Sequence, residues 1–233
     1  MPDYERFCPI SLATEVIADR WTPLIMRELL MGNTRFNDIA RGLPGISRSL
    51  LTQRLRHLER KGVVDTVPST TGRGREYHLS PSGRDLESVI DAMGRWAVEW
   101  LFDEIRPHEV DAVTLMWWMH RQIDVDALPA GRVVLEVRHT APQRIVLWMV
   151  FDRGEVSVCV QHPGFDVDVV VTTSTPVIGE VFQGFRSWGE AVADGAITVD
   201  GPPRLVREVP RWFTWSSFAE ATRARLERVP VLD

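Results

Sequence analysis

The chain has 233 residues, of which 44% are apolar and 25% charged, and its formal net charge is −5. This composition excludes the disordered and fibrous classes and is typical of a globular protein with one large domain or two modest ones. No apolar run reaches the roughly 18 residues of a membrane-spanning helix, and the start of the chain lacks the pattern of a secretory signal, so we expect a cytoplasmic protein with no membrane partner.

Positive charge is concentrated between Arg20 and Arg84. This segment holds twelve basic and five acidic residues, a net charge of +7, so the rest of the chain carries −12. Because phosphate neutralisation needs clustered cations and not a high overall pI, the segment is typical of a face that binds a polyanion. The alternative is an ordinary arginine-rich solvated surface.

Three short helices are predicted before residue 42. Apolar residues at helical spacing in residues 12–17 indicate the first helix. Thr22 is the expected N-cap of the second, with Pro23 in the first helical position and Gly32 as the stop signal. The third lies in residues 34–40, where we expect an inward face made of Phe36, Ile39 and Ala40.

A fourth helix is predicted over residues 47–62, with Ser47 as its N-cap and a basic end that stops at Gly62. Three leucines at helical spacing, Leu51, Leu55 and Leu58, form one apolar stripe. The opposite face is therefore polar, and it carries Arg48, Ser49, Thr52, Gln53 and Arg56.

The next segment changes to strand periodicity. Residues 63–67 and 76–79 are predicted strands of a hairpin, joined by a loop rich in glycine and arginine. Ser80-Pro81 then opens a long helix with apolar residues along one side as far as Leu101. The stripe is longer than one small neighbour would cover, which indicates a homodimer seam.

This order of elements, helix, turn, helix and basic hairpin, predicts a winged helix-turn-helix that binds double-stranded DNA. Arginine can bridge guanine, glutamine can bridge adenine, and serines at a helix N-terminus can hold a phosphate. The alternative is an amphipathic helix with a solvated polar face, but the basic hairpin favours DNA. Two copies would bind an inverted-repeat operator. The predicted DNA-binding residues are Arg35, Ser47, Arg48, Ser49, Thr52, Gln53, Arg56, Arg73 and Arg75.

Several short motifs lie between residues 5 and 105, namely CPI (8–10), DRWT (19–22), LIMREL (24–29), RFNDI (35–39), LPGIS (43–47), LTQRLRHLE (51–59) and YHLSPSG (77–83). Together they resemble the HxlR-type transcriptional regulators. The resemblance implies a dimeric winged-helix repressor or activator whose terminal helices pair the subunits. The chain departs from the family pattern at Asp19, where a small residue is commoner.

Cys8 matches the position of an N-terminal cysteine that some members of that family use as a redox or electrophile sensor. A thiol redox sensor acting through Cys8 is thus one hypothesis. The alternative, which we favour, is a small buried apolar residue in the dimer core, since reactivity needs an exposed thiol with a low pKa. The second cysteine, Cys159, has no metal-ligand spacing around it.

The second half of the chain is predicted to be an antiparallel sheet with helices. Strands are expected at 133–139, 144–151, 155–161, 166–173 and 197–199, and helices begin at Thr175, Trp188 and Pro202. Pro107 marks the predicted boundary. We therefore expect an α+β protein, with a DNA-binding and dimerisation domain at 1–106 and a ligand-sensing domain at 107–233.

Residues 109–215 are similar in pattern to the sterol-carrier-protein-like domains, which bind lipids in an apolar tunnel. This resemblance implies an apolar small-molecule effector. Candidate lining residues are Trp117, Trp118, Trp148, Phe165, Phe182, Phe185 and Trp188. The alternative for each is that it fills a core. A competing hypothesis for the whole chain is a lipid-type carrier or scaffold with a vestigial winged helix.

The sequence holds no recognisable catalytic set. It has neither the elbow of a serine hydrolase nor a His-Glu-x-x-His pair, and its glycine-rich stretch at 72–74 is better explained as a hairpin tip than as a nucleotide loop. The histidines of the second half are scattered. We therefore predict no enzyme activity, no bound metal and no cofactor.

Overall fold

The computed structural model describes residues 7–69, 74–106 and 111–228. The chain divides into two units, Met1–Met93 and Gly94–Asp233, and the division falls inside one helix, Glu87–Trp100. The boundary expected at Pro107 lies outside the described residues and stays a prediction. None of the helices in the described residues is both long and apolar enough to cross a lipid bilayer.

The first unit has the predicted order of helices and strands as far as the end of the hairpin. Its elements are α1 (Pro9–Ile17), α2 (Trp21–Leu30), α3 (Phe36–Arg41), α4 (Arg48–Arg60), β1 (Val64–Pro68), β2 (Arg75–Leu79), α5 (Pro81–Asp85) and the start of α6 (Glu87–Trp100). The two strands pair antiparallel, with Val64 opposite Leu79 and Pro68 opposite Arg75. This arrangement confirms the winged helix-turn-helix architecture.

The core of the first unit is built around α4. Leu51, Leu55 and Leu58 are at most 1% exposed, and they pack with Ile25 and Ile39 of the two preceding helices. Complete burial of each leucine stabilises the fold by roughly 1.5 to 3 kcal/mol. The predicted leucine stripe is confirmed, and with it the outward orientation of the polar side of α4.

The start of α2 differs from the prediction. Thr22 is not the N-cap, because the helix already begins at Trp21. The Asp19 carboxylate accepts from the backbone N–H groups of Trp21 (2.9 Å) and Thr22 (3.1 Å), and the buried Thr22 hydroxyl donates to it at 2.5 Å. An acceptor ahead of the helix therefore satisfies the free amides that the prediction assigned to Thr22.

The single long helix predicted after Ser80 is two helices. Ser80 caps α5, accepting from the N–H of Gly83 at 3.1 Å, but the chain turns at Leu86 before α6 begins. There the N–H of Leu86 donates to the carbonyl of Gly83, a tighter turn than that of an α-helix. Gly83 leaves no room for a side chain, since a Cβ would lie 2.2 Å from the carbonyl oxygen of Val63.

The second unit holds a five-stranded sheet and helices. After the end of α6 it contains α7 (Ala112–Met119), β3 (Val133–His139), β4 (Ile145–Asp152), β5 (Glu155–Cys159), β6 (Val169–Thr173), α8 (Thr175–Gln183), α9 (Trp188–Ala193), β7 (Ile197–Asp200), α10 (Pro203–Glu208) and α11 (Ala219–Arg228). The helix α11 was not predicted, and only Ala219 and Thr222 of it are buried.

The sheet is mixed and not wholly antiparallel as predicted. Its strand order is β5-β4-β3-β6-β7, and β3 pairs parallel with β6. The β4–β5 hairpin intervenes in the chain between β3 and β6, which gives the long crossover that a parallel pair requires.

One face of this sheet carries the core of the second unit. Val133, Leu135 and Val137 of β3 alternate into it, beside Leu147 and Met149 of β4. Buried residues of α7 and α8 pack in the same cluster. The intervening side chains of each strand lie on the opposite face of the sheet.

Candidate nucleic-acid interface

The exposed side of α4 begins at a well-defined helix start. The Ser47 hydroxyl accepts from the N–H of Leu50 at 3.2 Å, as expected of an N-cap, and lies 3.1 Å from the Ser49 hydroxyl. Thr52 donates to the carbonyl of Arg48 at 2.8 Å. These three hydroxyl groups thus already interact with their own helix, and each still has lone pairs to offer a ligand.

An open concavity runs along this exposed side. Its lining residues are Phe36, Arg48, Ser49, Thr52, Gln53, Arg56 and Arg60. The structure thus brings together five of the predicted DNA-binding residues and adds Phe36 and Arg60. Arg60 follows Arg56 by one helical turn, so helical spacing alone could have identified it.

The cations of α4 divide between its two sides. On the side that packs against the start of the unit, Arg54 lies 3.2 Å from the Asp19 carboxylate just ahead of α2, and Lys61, which follows α4, lies 2.7 Å from the Glu15 carboxylate of α1. On the exposed side, Arg56 and Arg60 make no ion pair with another described residue. Positive charge is therefore neutralised where α4 contacts its own protein and left available where it faces outward.

Gln53 and Arg56 are exposed and make no side-chain hydrogen bond within the described part of the chain. Arg48 differs from them, because its guanidinium lies 4.9 Å from the centre of the Phe36 ring and donates to the Asn37 amide oxygen at 3.2 Å. The face therefore combines two free polar side chains with one arginine that α3 already holds.

A buried carboxylate near the end of α2 links this helix to the loop that follows it and, through Arg27, to the end of α3. Glu28 is fully buried, and its oxygens accept from Arg27 (2.7 Å) and from the Asn33 amide (2.7 Å). Arg27 also donates to the carbonyl of Gly42 at 3.0 Å. Because buried charges are tolerated only when paired, this cluster holds α3 against α2 in one geometry.

The β1–β2 hairpin, which is the wing of this fold, supplies Arg75, which is exposed at the first position of β2. Arg35 lies 3.6 Å from the Glu76 carboxylate, so part of its charge is already compensated. A hydrogen bond from Ser69 lowers the pKa of Glu76, burial opposes this, and His78 and Arg35 lower it further. Arg73, which was predicted at the wing tip, lies outside the described residues.

The aromatic residues predicted to line a C-terminal cavity occupy several places in the second unit, and Phe182, Trp118 and Trp188 share one hydrophobic cluster. Phe182 lies in the core of the second unit. Trp148 lies on the opposite sheet face, where its indole N–H donates to the Glu136 carboxylate at 2.9 Å. Phe165 is 41% exposed, with the Arg132 guanidinium 4.1 Å from its ring centre.

The remaining four aromatic residues occupy further positions. Trp117 contacts His120, with ring centres 4.2 Å apart, and Trp118 packs against the core. Trp188 lies beside Trp215 at 6.0 Å, whereas Phe185 lines a concavity with acidic side chains that include Glu180, Glu190 and Asp194. The lining of an apolar cavity by this set stays a prediction.

Cys8 is half-buried at the N-cap of α1, and both it and Cys159 are free thiols. Cys159 ends β5, opposite Trp148. Over the ranges that the structure describes, no three histidine, cysteine or acidic side chains lie close enough together to hold a metal ion.

Comparison with known proteins assigns the first unit to a family. Residues 16–105 match the model of the HxlR-like helix-turn-helix. YvaP of Bacillus subtilis (strain 168), an uncharacterized HTH-type transcriptional regulator, is 38% identical over 97 residues, which span 40% of this chain and 89% of YvaP. The regulator sll1512 of Synechocystis sp. is 36% identical over 99 residues, or 42% of this chain and 73% of the relative.

Among solved structures, the reduced form of the transcriptional regulator YodB from B. subtilis is 32% identical and aligns with 40% of this chain and 94% of its own, with a TM-score of 0.36. The identity to YvaP extends over nearly the whole length of that relative. Together with the matched family model, it shows that this chain belongs to the HxlR-like helix-turn-helix family.

Proposed function

We propose that this protein is a sequence-specific DNA-binding transcriptional regulator. In this proposal α4 enters a major groove and presents Gln53 and Arg56 to base edges, while Arg75 of the wing contacts the phosphate backbone. One observation carries the proposal: the leucines of α4 are buried, while the opposite side of the same helix keeps uncompensated arginines and a free amide. The cytoplasm is the compartment in which such a regulator would act.

The proposed regulator is a homodimer. In α6, the apolar side chains Val89, Met93, Trp96 and Trp100 recur at helical spacing and are 37%, 46%, 57% and 68% exposed. So large an apolar stripe on a water-facing helix favours a covering partner. A second copy is the natural occupant, because two recognition helices related by a two-fold axis match an inverted repeat with half-sites about 34 Å apart or a multiple of that.

Selection of bound fragments from random DNA tests the proposal. We expect an inverted-repeat motif, and we expect binding to it to be much tighter than to a scrambled fragment of equal length at the same salt concentration. Weak, salt-labile binding without a motif would contradict the proposal. That outcome would favour the competing hypothesis of a lipid-type carrier with a vestigial winged helix.

For the second unit we propose that it senses an apolar small molecule and thereby changes DNA affinity. The support is its resemblance in pattern to a lipid-binding domain, together with a core that lies between helices and one sheet face. A ligand acts in this way only if it binds the two dimer states with different affinity. A saturated fatty acid and a sterol are suitable probes, and binding of either without a change in operator affinity would contradict this role.

A redox role for Cys8 is tested by alkylation. If the thiol is a sensor, alkylated protein should lose operator affinity, and the Cys8→Ser variant should be insensitive to the reagent. The Cys159→Ser variant is the matched control, since it leaves the N-cap thiol of α1 in place. Unchanged affinity after complete alkylation would leave Cys8 as a packing residue only.

A further inference from the structure

Among the arginines on the exposed side of α4, Arg48 is held in place by contacts with α3. It is the first residue of α4, and its guanidinium contacts Phe36 and Asn37, which both belong to the first turn of α3. Arg56 and Arg60 share the same concavity and have no comparable contact among the described residues. The two classes of arginine should therefore behave differently when DNA binds.

The two contacts constrain the guanidinium in complementary directions. The Phe36 ring lies 4.9 Å from the guanidinium carbon of Arg48, which favours a position over the face of the ring. The Oδ1 atom of Asn37 accepts a hydrogen bond from Nη2 of Arg48, at an Nη2–Oδ1 distance of 3.2 Å, which restricts rotation of the guanidinium in its own plane. Of the five N–H donors of a guanidinium, the other four remain for a ligand.

We infer, on the basis of the proposed function, that Phe36 and Asn37 are positioning residues that orient Arg48 toward one guanine of each half-site. A fixed planar donor pair matches the N7 and O6 acceptors that guanine presents in the major groove. Because Arg48 has already lost much of its rotational freedom, little further freedom is lost when the contact forms. The guanine opposite Arg48 is therefore the most strictly discriminated position of the half-site.

Replacement of single guanines by 7-deazaguanine in the selected operator tests this assignment, because the analogue lacks the N7 acceptor. The unmodified protein should lose about 5- to 150-fold in affinity at one guanine of the half-site, and Arg48→Ala should remove the sensitivity at that position. Asn37→Ala should reduce the sensitivity at the same guanine by about 2- to 10-fold and leave other positions unchanged.

Phe36→Leu provides the second positioning variant, and it should act at the same guanine as Asn37→Ala. Phe36 also packs against the core, so the stability of the Phe36→Leu variant is measured in parallel. Asn37 is exposed, and its replacement should leave folding intact. Arg56→Ala is the matched control on α4, because it should change the sensitivity at a different base pair.

Two results would overturn the inference. In one, Arg48→Ala weakens binding to operator and scrambled DNA equally, which is the behaviour of a phosphate contact. In the other, Arg48→Ala removes guanine sensitivity but Asn37→Ala and Phe36→Leu both leave it unchanged. A selection that yields no motif for the unmodified protein would overturn the proposed function, and the inference with it.

Discussion

Arg54 of α4 lies with its Nη1 atom 3.2 Å from the Oδ2 atom of Asp19, the residue that precedes α2 by two positions. The same carboxylate accepts from two backbone N–H groups at the start of α2 and from the buried Thr22 hydroxyl. One acidic side chain thus joins the proposed recognition helix to the beginning of α2.

Replacement of Asp19 by alanine should destabilise the first unit by about 2 kcal/mol, because it removes a helix cap and leaves the Thr22 hydroxyl buried without its acceptor. Urea unfolding measures this change. The control is Asp38→Ala, which removes a carboxylate in the first turn of α3 and its ion pair with the exposed Arg41, and should cost less than about 1 kcal/mol. Equal effects of the two variants would contradict the role assigned to Asp19.

Because the pKa of Asp19 is lowered, its contribution to the stability of the first unit should depend on pH. Burial acts to raise the pKa, but hydrogen bonds from Thr22 and Trp21 and the charge of Arg54 outweigh it, and the pKa is lowered from 3.8. A carboxyl with a lowered pKa stabilises the fold above its unfolded pKa and loses that effect as the pH falls through its folded pKa. The stability difference between native protein and Asp19→Asn should therefore shrink below about pH 4.

His139 should make the second unit sensitive to mild acid. Burial lowers the pKa of His139 to about 4, although the nearby Asp111 carboxylate opposes this. Between pH 6.5 and 4 the unfolded chain binds a proton that the folded protein excludes, so stability should fall by up to roughly 3 kcal/mol as the pH decreases through this range. Thermal unfolding as a function of pH measures the slope.

Two histidine variants test the source of that slope. His139→Asn keeps a polar group beside the Thr175 hydroxyl, which lies 3.0 Å from Nδ1 of the histidine, and should flatten the dependence. His162→Asn, at an exposed position, should retain it. A slope that survives His139→Asn unchanged would show that another group is responsible.

Trp96 and Trp100 should be essential for the proposed dimer. The double variant Trp96→Lys, Trp100→Lys places two charges on the exposed stripe of α6 and should yield a monomer, because charges are excluded from the centre of an apolar interface. Sedimentation equilibrium measures the molecular mass. The control is Val192→Lys on α9, which is 42% exposed and should leave the mass unchanged. A dimer that persists in the double variant would place the interface elsewhere.

Arg75 should contribute to DNA affinity without contributing to sequence preference. Arg75→Ala should weaken binding to operator and scrambled DNA alike, and should reduce the slope of log K against log salt concentration by about 1. Fluorescence anisotropy at several salt concentrations measures both effects. A loss confined to the operator would mean that the wing contacts a base.

Some features of the chain were predictable because their signals are local. The leucine stripe and the serine cap predicted α4, and the stripe also predicted which side of the helix faces outward. The prediction of Thr22 as an N-cap was wrong, because the acceptor for the backbone N–H groups at the start of α2 is the Asp19 carboxylate, three residues before Thr22. The helix α11 gave almost no periodic signal, since it buries only Ala219 and Thr222.

Features that depend on tertiary contacts were not predictable. The parallel pairing of β3 with β6 joins segments some 30 residues apart, and strand periodicity does not specify a partner. The contact between Arg48 and Phe36 exists only after α3 and α4 have packed. Trp148 and Phe182 were grouped because both are aromatic, yet they lie on opposite faces of the sheet.

In the proposed function, the outward side of α4 distinguishes one DNA sequence from another. The most direct measurement is the ratio of affinities for the selected operator and a scrambled fragment, in the native protein and in Gln53→Ala, Arg56→Ala. We expect the double variant to lose about 1 to 3 kcal/mol of discrimination for each base contact and to bind scrambled DNA almost as before. An unchanged ratio, with equal losses on both fragments, would contradict sequence-specific recognition by α4.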